Sequence, residues 1–329
     1  MEGETPAEPR FAGRRAAVTG AGGFIGAATC RALVAAGAEV AGLDVDTGAR
    51  ERVEATGAEF TAADVADPAS VGAALADAEL VVHAAALVHE GDDMREFIRV
   101  NVGGTANVLD AAEAAGAERV IHVSSVVVYG YDHPGEQDEG AQLRVYGLPY
   151  IDTKSATDRL ARRRAAVVIR PGDVYGPGGT QWVLRPARMS LAGRLAVPAT
   201  GGTMLPVYVD DLVAGILAGL ERGAPGEAYA VWDGEPRGFD EHFARVAEIA
   251  GGRPPRRLPR PLLALAASAI GAAARLAGGE ADFGSGAITY VDRSGTVSAE
   301  RATRELGWEP RVPYERGMLL TAEWLRRAL

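Results

Sequence analysis

The chain of 329 residues is poor in several things, and each shortage narrows what it can be. It has one cysteine, Cys30, which excludes an internal disulfide and any metal site built from several thiolates. Acidic residues outnumber basic ones, 44 to 34, for a net charge of −10. The basic footprint that sequence-independent binding to nucleic acid requires is therefore missing. The longest apolar run, Leu262 to Ala274, is too short and too rich in alanine to span a bilayer. Met1 to Arg10 is acidic and proline-bearing, without the apolar core of a secretory signal. These absences predict a soluble, cytoplasmic protein with no metal, no nucleic-acid partner and no membrane span.

Lysine is the rarest of the common charged residues. Of 34 basic residues only Lys154 is lysine, and all the others are arginine. A chain that uses guanidinium everywhere else keeps an ammonium in one place, where a compact charge on a flexible stem serves better.

What the chain has in quantity is glycine, 42 residues, and apolar surface, 47%. Thr19-Gly20-Ala21-Gly22-Gly23-Phe24-Ile25-Gly26 follows the apolar run Ala16-Ala17-Val18 and precedes the alanine-rich stretch Ala27 to Ala36. Gly20, Gly23 and Gly26 stand three apart, which suits a tight strand-to-helix turn whose backbone N–H groups face a pyrophosphate. A second strand ends at Asp44, about twenty residues on, as in a dinucleotide-binding unit. A carboxylate there accepts hydrogen bonds from ribose hydroxyls and repels a 2′-phosphate, which favours NAD. Arg50, close by, leaves NADP open. Asp64-Val65 follows the expected third strand and frames the adenine or simply makes a turn.

From Arg14 to Asp173 the signals alternate. Apolar runs at Ala16-Val18, Val40-Leu43, Leu80-His83, Val120-Val123 and Val167-Ile169 read as strands, with a further strand near Ala58-Thr61. Helical stretches lie between them, at Phe24–Ala36, Ala69–Ala76, Met94–Ala115 and Pro149–Arg164. The class is α/β, a doubly wound parallel Rossmann sheet covered on both faces, with ligands at the carboxyl ends of the strands. Past Gly179 the rhythm breaks up. Asp210 to Leu220 reads as a helix with Asp210 as its N-cap. Further elements are expected at Glu227–Trp232, Asp240–Ala250, Leu262–Leu276, Ser298–Leu306 and Tyr314–Leu325. Residues 1–12 read as a loose tail and 13–178 as the dinucleotide-binding domain, to which 206–224 return. Residues 179–205 and 225–329 read as a smaller, irregular substrate-binding lobe.

Tyr150 and Lys154 are four apart on one helix face. A phenol has an unperturbed pKa of about 10, and a neighbouring ammonium lowers it. Ser124 and Ser125, just past an apolar strand, are placed to hold a substrate oxygen.

Taken in order, these motifs resemble the extended branch of the short-chain dehydrogenase/reductase family, the NAD-dependent epimerase/dehydratase type. The resemblance is carried by Gly20-x-x-Gly23-x-x-Gly26, Asp64-Val65, His83-Ala84-Ala85-Ala86, Asn101-Val102-Gly103-Gly104-Thr105, Ser124-Ser125 with Val128-Tyr129-Gly130, Tyr150-x-x-x-Lys154, Arg170-Pro171-Gly172-Asp173-Val174-Tyr175-Gly176-Pro177 and Val209-Asp210-Asp211-Leu212. It implies that Tyr150 moves a proton, that Lys154 binds the nicotinamide ribose and lowers the Tyr150 pKa, and that Ser125 bonds the substrate oxygen. It implies cofactor contacts at Gly20, Gly23, Phe24, Ile25, Gly26, Asp44, Asp64, Val65, Ala84, Ala85, Ala86, Asn101, Pro171 and Val174. Asn101 matches an asparagine that supports the lysine's proton relay or is structural.

Dehydratases of the family carry an acidic pair directly after the hydroxyl residue; here the positions are Val126 and Val127. Asp173 stands where sugar-nucleotide enzymes often carry asparagine, a poor neighbour for a diphosphate. The Leu262–Leu276 segment, with Leu263, Leu265 and Ile270, resembles the 3β-hydroxysteroid dehydrogenase-like subgroup, or is a plain amphipathic core helix. The function expected is an NAD(P)-dependent oxidoreductase interconverting a secondary alcohol and a ketone on a small, apolar molecule. The alternatives are a nucleoside-diphosphate-sugar 4-epimerase and a non-catalytic dinucleotide sensor. The resemblance also implies a homodimer through 94–115 and 149–164, whose alanine-rich faces would equally suit burial within one chain.

Overall fold

The computed structural model describes residues 10–88, 93–266 and 285–329. The expected tail falls largely on residues 1–9, outside the described residues, as do Ile270 and Leu276 of the 262–276 segment.

The first strand, β1 (Arg15–Thr19), feeds the glycine turn and α1 (Phe24–Ala35). Next come β2 (Glu39–Asp44), α2 (Arg50–Glu54), β3 (Glu59–Ala62), α3 (Pro68–Ala74) and β4 (Leu80–His83). The predicted helix 94–115 is three pieces: α4 (Met94–Phe97), a wider π turn over Ile98–Gly103, and α5 (Gly104–Ala114). Then follow β5 (Arg119–Val123), β6 (Asp132–Gln137), α6 (Pro149–Arg163), β7 (Val167–Pro171) and β8 (Asp173–Tyr175). The chain continues through α7 (Arg185–Leu191), β9 (Ala196–Pro198), β10 (Pro206–Tyr208), α8 (Val209–Arg222), β11 (Ala228–Val231), α9 (Phe239–Ala250), β12 (Arg256–Leu258) and β13 (Ser294–Val297). Among the described residues, helices Glu300–Leu306 and Tyr314–Ala328 end it.

The main sheet is parallel, in the order β11-β7-β5-β4-β1-β2-β3. Side-chain parity along a strand divides its two faces. In β1, Ala16 and Val18 join the core with Cys30 and Leu33 of α1 and Leu212 and Ile216 of α8. Ala17, between them, faces the opposite core with Val71 and Leu75 of α3 and its neighbour and Val108 of α5. Strands β4, β7 and β11 are buried along their whole length, which is why they read as unbroken apolar runs.

Two expectations need correction. β11 pairs with β7 in the main sheet, so the sheet ends inside 225–329, the stretch assigned from sequence to the substrate lobe. Asp210 is not the N-cap of α8; Tyr208 holds that position and Asp210 and Asp211 sit in the first turn. The Asp211 carboxylate instead accepts the backbone N–H groups of Arg311 and Val312, each at 3.0 Å, tying the carboxy-terminal segment to α8. Residues 260–266 are helical; Leu263 is buried beside Ile288, whereas Leu262 and Leu265 are exposed. No helix among the described residues is long and apolar enough to cross a membrane.

Candidate active site

The chain runs from β1 outward through β2 and β3, then returns to β4 on the other side of β1. Beyond the carboxyl ends of β1 and β4 the connecting segments therefore diverge and leave a crevice, where open α/β sheets bind ligands. The glycine turn lines one side of it. Gly20 has φ +69, and a Cβ on it would stand 2.8 Å from Ala85 Cα. A Cβ on Gly26 would stand 2.0 Å from Gly20 O, so α1 starts tight against the turn. Gly23 is the N-cap residue of α1, and no side chain caps this helix. Its free N–H groups and dipole are left to face an anion. Phe24 packs on the Gly178–Gly179 backbone, bringing the loop after β8 over the same turn.

Asp44 ends β2. Its Oδ2 accepts the Gly22 N–H at 2.8 Å and its Oδ1 the Asp46 N–H at 3.0 Å. Gly22, the glycine outside the three-residue spacing, is thus the one that seats the carboxylate, and the sequence reading missed it. Arg50 does not approach this corner: it pairs with Glu54 at 3.2 Å and lies over Phe60. Arg52, which the sequence reading did not single out, reaches the Gly22 carbonyl. Asp64 is a turn aspartate, half-exposed, whose Oδ1 accepts the Ala66 N–H at 2.8 Å. Val65 is buried beneath Gly104 of α5.

Ala84, Ala85 and Ala86 leave β4 as partly exposed backbone beside Gly20. Thr19 holds them there, with Oγ1 accepting the Ala85 N–H at 3.2 Å and meeting His83 Nδ1 at 2.8 Å. Asn101, in the π turn, closes the segment. Its Oδ1 accepts Leu87 N–H at 2.7 Å, and its Nδ2 donates to Leu87 O at 3.2 Å and Thr153 Oγ1 at 3.1 Å. Its side chain therefore braces the neighbour of Lys154 rather than Lys154 itself.

Ser125 begins the turn after β5 and accepts the Val127 N–H at 3.2 Å. Tyr150 stands in the first turn of α6, near enough to Ser125 for that hydroxyl to hold down its pKa. That first turn is set by Asp152, whose carboxylate accepts the N–H groups of Tyr146 and Gly147 at 2.7 and 2.8 Å. Lys154, one turn on, is buried and donates to Val123 O at 2.9 Å, at the end of β5. Burial pushes the Tyr150 phenol up to about 12, with Asp173 raising it further and Ser125 and Arg293 opposing. Burial brings the Lys154 ammonium down to about 8, against the pull of Asp158. Desolvation, not Lys154, thus dominates the phenol here, contrary to the expectation that the lysine lowers it.

Beneath these groups lies a buried polar lattice. Arg170, fully buried on β7, forks onto Asp158 of α6 with Nε and Nη2 at 2.8 and 2.7 Å, and gives Nη1 to Tyr129 OH at 2.7 Å. Ser124 donates to the same Asp158 at 2.7 Å. The lattice fixes α6 to the ends of β5 and β7, so Ser125, Tyr150 and Lys154 hold their relative places. Pro171 ends β7, and Val174 lies partly buried in β8, which pairs with β10. Asp173 is enclosed: Oδ1 accepts Tyr290 OH at 2.7 Å, and Oδ2 accepts Leu205 N–H at 2.8 Å and Arg293 Nη2. Its charge is met by Arg293, which corrects the view of Asp173 as a bare repulsive neighbour. Neither Tyr290 nor Arg293 was visible from sequence, since each lies more than a hundred residues from its partner.

A glycine turn that tolerates no Cβ, an uncapped helix start and a carboxylate at the end of β2 fit an enzyme binding a dinucleotide at a parallel sheet. Residues 16–231 match the model of the NAD dependent epimerase/dehydratase family, and the chain belongs to that family. It is an enzyme with NAD as cofactor. It is 29% identical over 324 residues to a 2-alkyl-3-oxoalkanoate reductase of Stenotrophomonas maltophilia, covering 92% of this chain and 96% of that one. It is 28% identical over 263 residues to a 3-beta-hydroxysteroid dehydrogenase of Mycolicibacterium neoaurum, covering 73% and 70%. The structure of a Thermus thermophilus UDP-glucose 4-epimerase complexed with NAD matches with a TM-score of 0.75 and 26% identity, covering 96% of this chain and all of that one.

Proposed function

We propose that this enzyme interconverts a ketone and the corresponding secondary alcohol on a small molecule. The nicotinamide, when bound, gives or takes the hydride. Gly20, Gly26 and the start of α1 would hold the pyrophosphate, Asp44 the adenosine ribose, and Lys154 the nicotinamide ribose. Ser125 would fix the substrate oxygen. Tyr150, protonated at neutral pH because burial holds its pKa near 12, would give that oxygen its proton during reduction and take it back during oxidation. The observation that supports this reading is that Ser125, Tyr150 and the buried Lys154 come together at the end of β5, with Lys154 one helical turn past Tyr150 and bonded to Val123 O. The test is Tyr150→Phe: NAD binding is retained and turnover of every accepted ketone and alcohol is lost. Wild-type turnover in that variant would refute the assignment.

The neutralised Asp173 favours keeping a second reading, a nucleoside-diphosphate-sugar 4-epimerase, because no net negative charge there repels a diphosphate. Tightly held NAD and no net redox turnover would select it. Elimination of the 4,6-dehydratase kind has no support at this site, since Val126 and Val127 are buried and carry no titratable group.

The proposed assembly is a homodimer through 94–115 and 149–164, the first of which exposes Ile98; light scattering tests it. The cytoplasm is the proposed location, and fractionation tests that.

A further inference from the structure

On a chain of net charge −10, two stretches run against the balance: residues 185–198 and 251–266 hold seven arginines and no aspartate or glutamate. The fold lays them side by side. Strand β12 pairs with β9, placing Arg256 opposite Ala196, and the Arg256 N–H donates to Leu195 O at 3.0 Å. Just before it, the Arg253 N–H donates to Ser190 O at 3.2 Å, and Ser190 Oγ donates to Arg253 O at 2.8 Å, across 63 residues. The two stretches therefore form one surface.

Its arginines are of two kinds. Arg257 pairs with Asp240 and Arg260 with Asp292, which pins the segment to the substrate lobe. Arg188, Arg194, Arg253 and Arg256 are exposed and meet no carboxylate among the described residues. Leucines stand among them. Helix 260–266 buries Leu263 against Ala196 and Leu258, and turns Leu262 and Leu265 outward on its opposite side, 53% and 68% exposed. Leu191, at the end of α7, is half exposed beside Gly252.

A partner for this face has to cover leucines and at the same time neutralise guanidinium groups. The surface of an anionic bilayer does both: its phosphates take the arginines while the leucines enter the boundary of the acyl chains. A nucleic-acid backbone would use the arginines and leave the leucines in water. The apolar run that starts at Leu262 is too short to cross a bilayer, as a segment lying on one would be. The acidic remainder of the protein is repelled by such a surface, which orients the molecule with this face toward it.

We propose that this face docks the enzyme, peripherally and reversibly, on a membrane surface rich in anionic lipid. The inference does not depend on which reaction the active site performs, and it agrees with a cytoplasmic location.

The experiment is co-sedimentation of the full chain with vesicles of phosphatidylcholine alone and of phosphatidylcholine mixed with phosphatidylglycerol. In low salt the protein is expected to partition onto the anionic vesicles about tenfold or more above the neutral ones, and to leave them in molar salt, where the screening length falls to about 3 Å. Arg253→Gln/Arg256→Gln is expected to lower the partition by about tenfold or more, and Leu262→Ser/Leu265→Ser by about tenfold. Both pairs are exposed, so folding is retained. Arg14→Gln/Arg15→Gln, at the start of β1, removes the same charge away from this face and should leave the partition unchanged. No binding to anionic vesicles, equal binding to neutral ones, an unchanged arginine pair, or an equal loss in the Arg14/Arg15 control overturns the proposal. An unchanged leucine pair overturns it too, because a purely ionic face binds any polyanion; competition by a homopolymeric oligonucleotide would then name that alternative.

Discussion

Gly20 and Ala85 touch backbone to backbone across the crevice between β1 and β4, and a Cβ on Gly20 would lie 2.8 Å from the Ala85 Cα. The first glycine of the turn therefore does two things: it bends the chain at φ +69 and lets the two strand ends close to one width.

Gly20→Ala is expected to impair cofactor binding and stability together. The left-handed backbone alone costs a residue with a Cβ about 1–2 kcal/mol, before any movement of Ala85. Calorimetric titration with NAD should show affinity lower by about tenfold or more, with a reduced melting temperature. Gly72→Ala, in open space on α3, serves as the neutral control.

Tyr150→Phe should lower turnover by about two to four orders of magnitude while NAD affinity holds. The pH profile carries further information. Lys154 titrates near 8 and Tyr150 near 12, so reduction should weaken above about pH 8 as the ammonium is lost, with the phenol still protonated. A descending limb that survives in Lys154→Met would refute the assignment of that limb.

Arg170→Met should destabilise the chain by about 3–5 kcal/mol, since it strands the buried Asp158 carboxylate. Urea unfolding measures this directly. The double variant Arg170→Met/Asp158→Leu should recover part of the loss, because no buried charge is then left unpaired.

Acid should unfold the protein early. Burial lowers the pKa of His83 to about 3 and of His242 to about 4, and holds His122 well below the usual value. Unfolded histidines take up protons near pH 6.5 that the folded ones refuse. Stability is therefore full above 6.5 and falls as pH drops through the window toward 3 and 4, each group contributing about 1.4 kcal/mol per pH unit. Asp233, raised to about 6, opposes this with the reverse sign. Urea midpoints at pH 7 and pH 5 test the balance, and His242→Gln should show the smaller loss.

Much of the central sheet was legible because its strands are apolar throughout and its helices keep one small-residue face. The short strands β8, β9, β10 and β12 were not, since each is three residues long and pairs with a partner far along the chain. The π turn at Ile98–Gly103 was invisible for a related reason. The Asn101 side chain within it reaches Leu87 and Thr153, and helical periodicity records nothing of that.

The sequence by itself determined the glycine turn, Asp44 at the strand end, and Tyr150 and Lys154 on one helical face. These are relations within a few residues or one supersecondary unit, which local spacing encodes. Only the tertiary structure decided that Gly22 seats Asp44, that Lys154 turns to Val123 O, and that Arg293 meets Asp173 across 120 residues beside Tyr150. Those meetings depend on the order of strands in the sheet and on what each buried polar group finds when water is gone, and no periodicity along the chain carries that information.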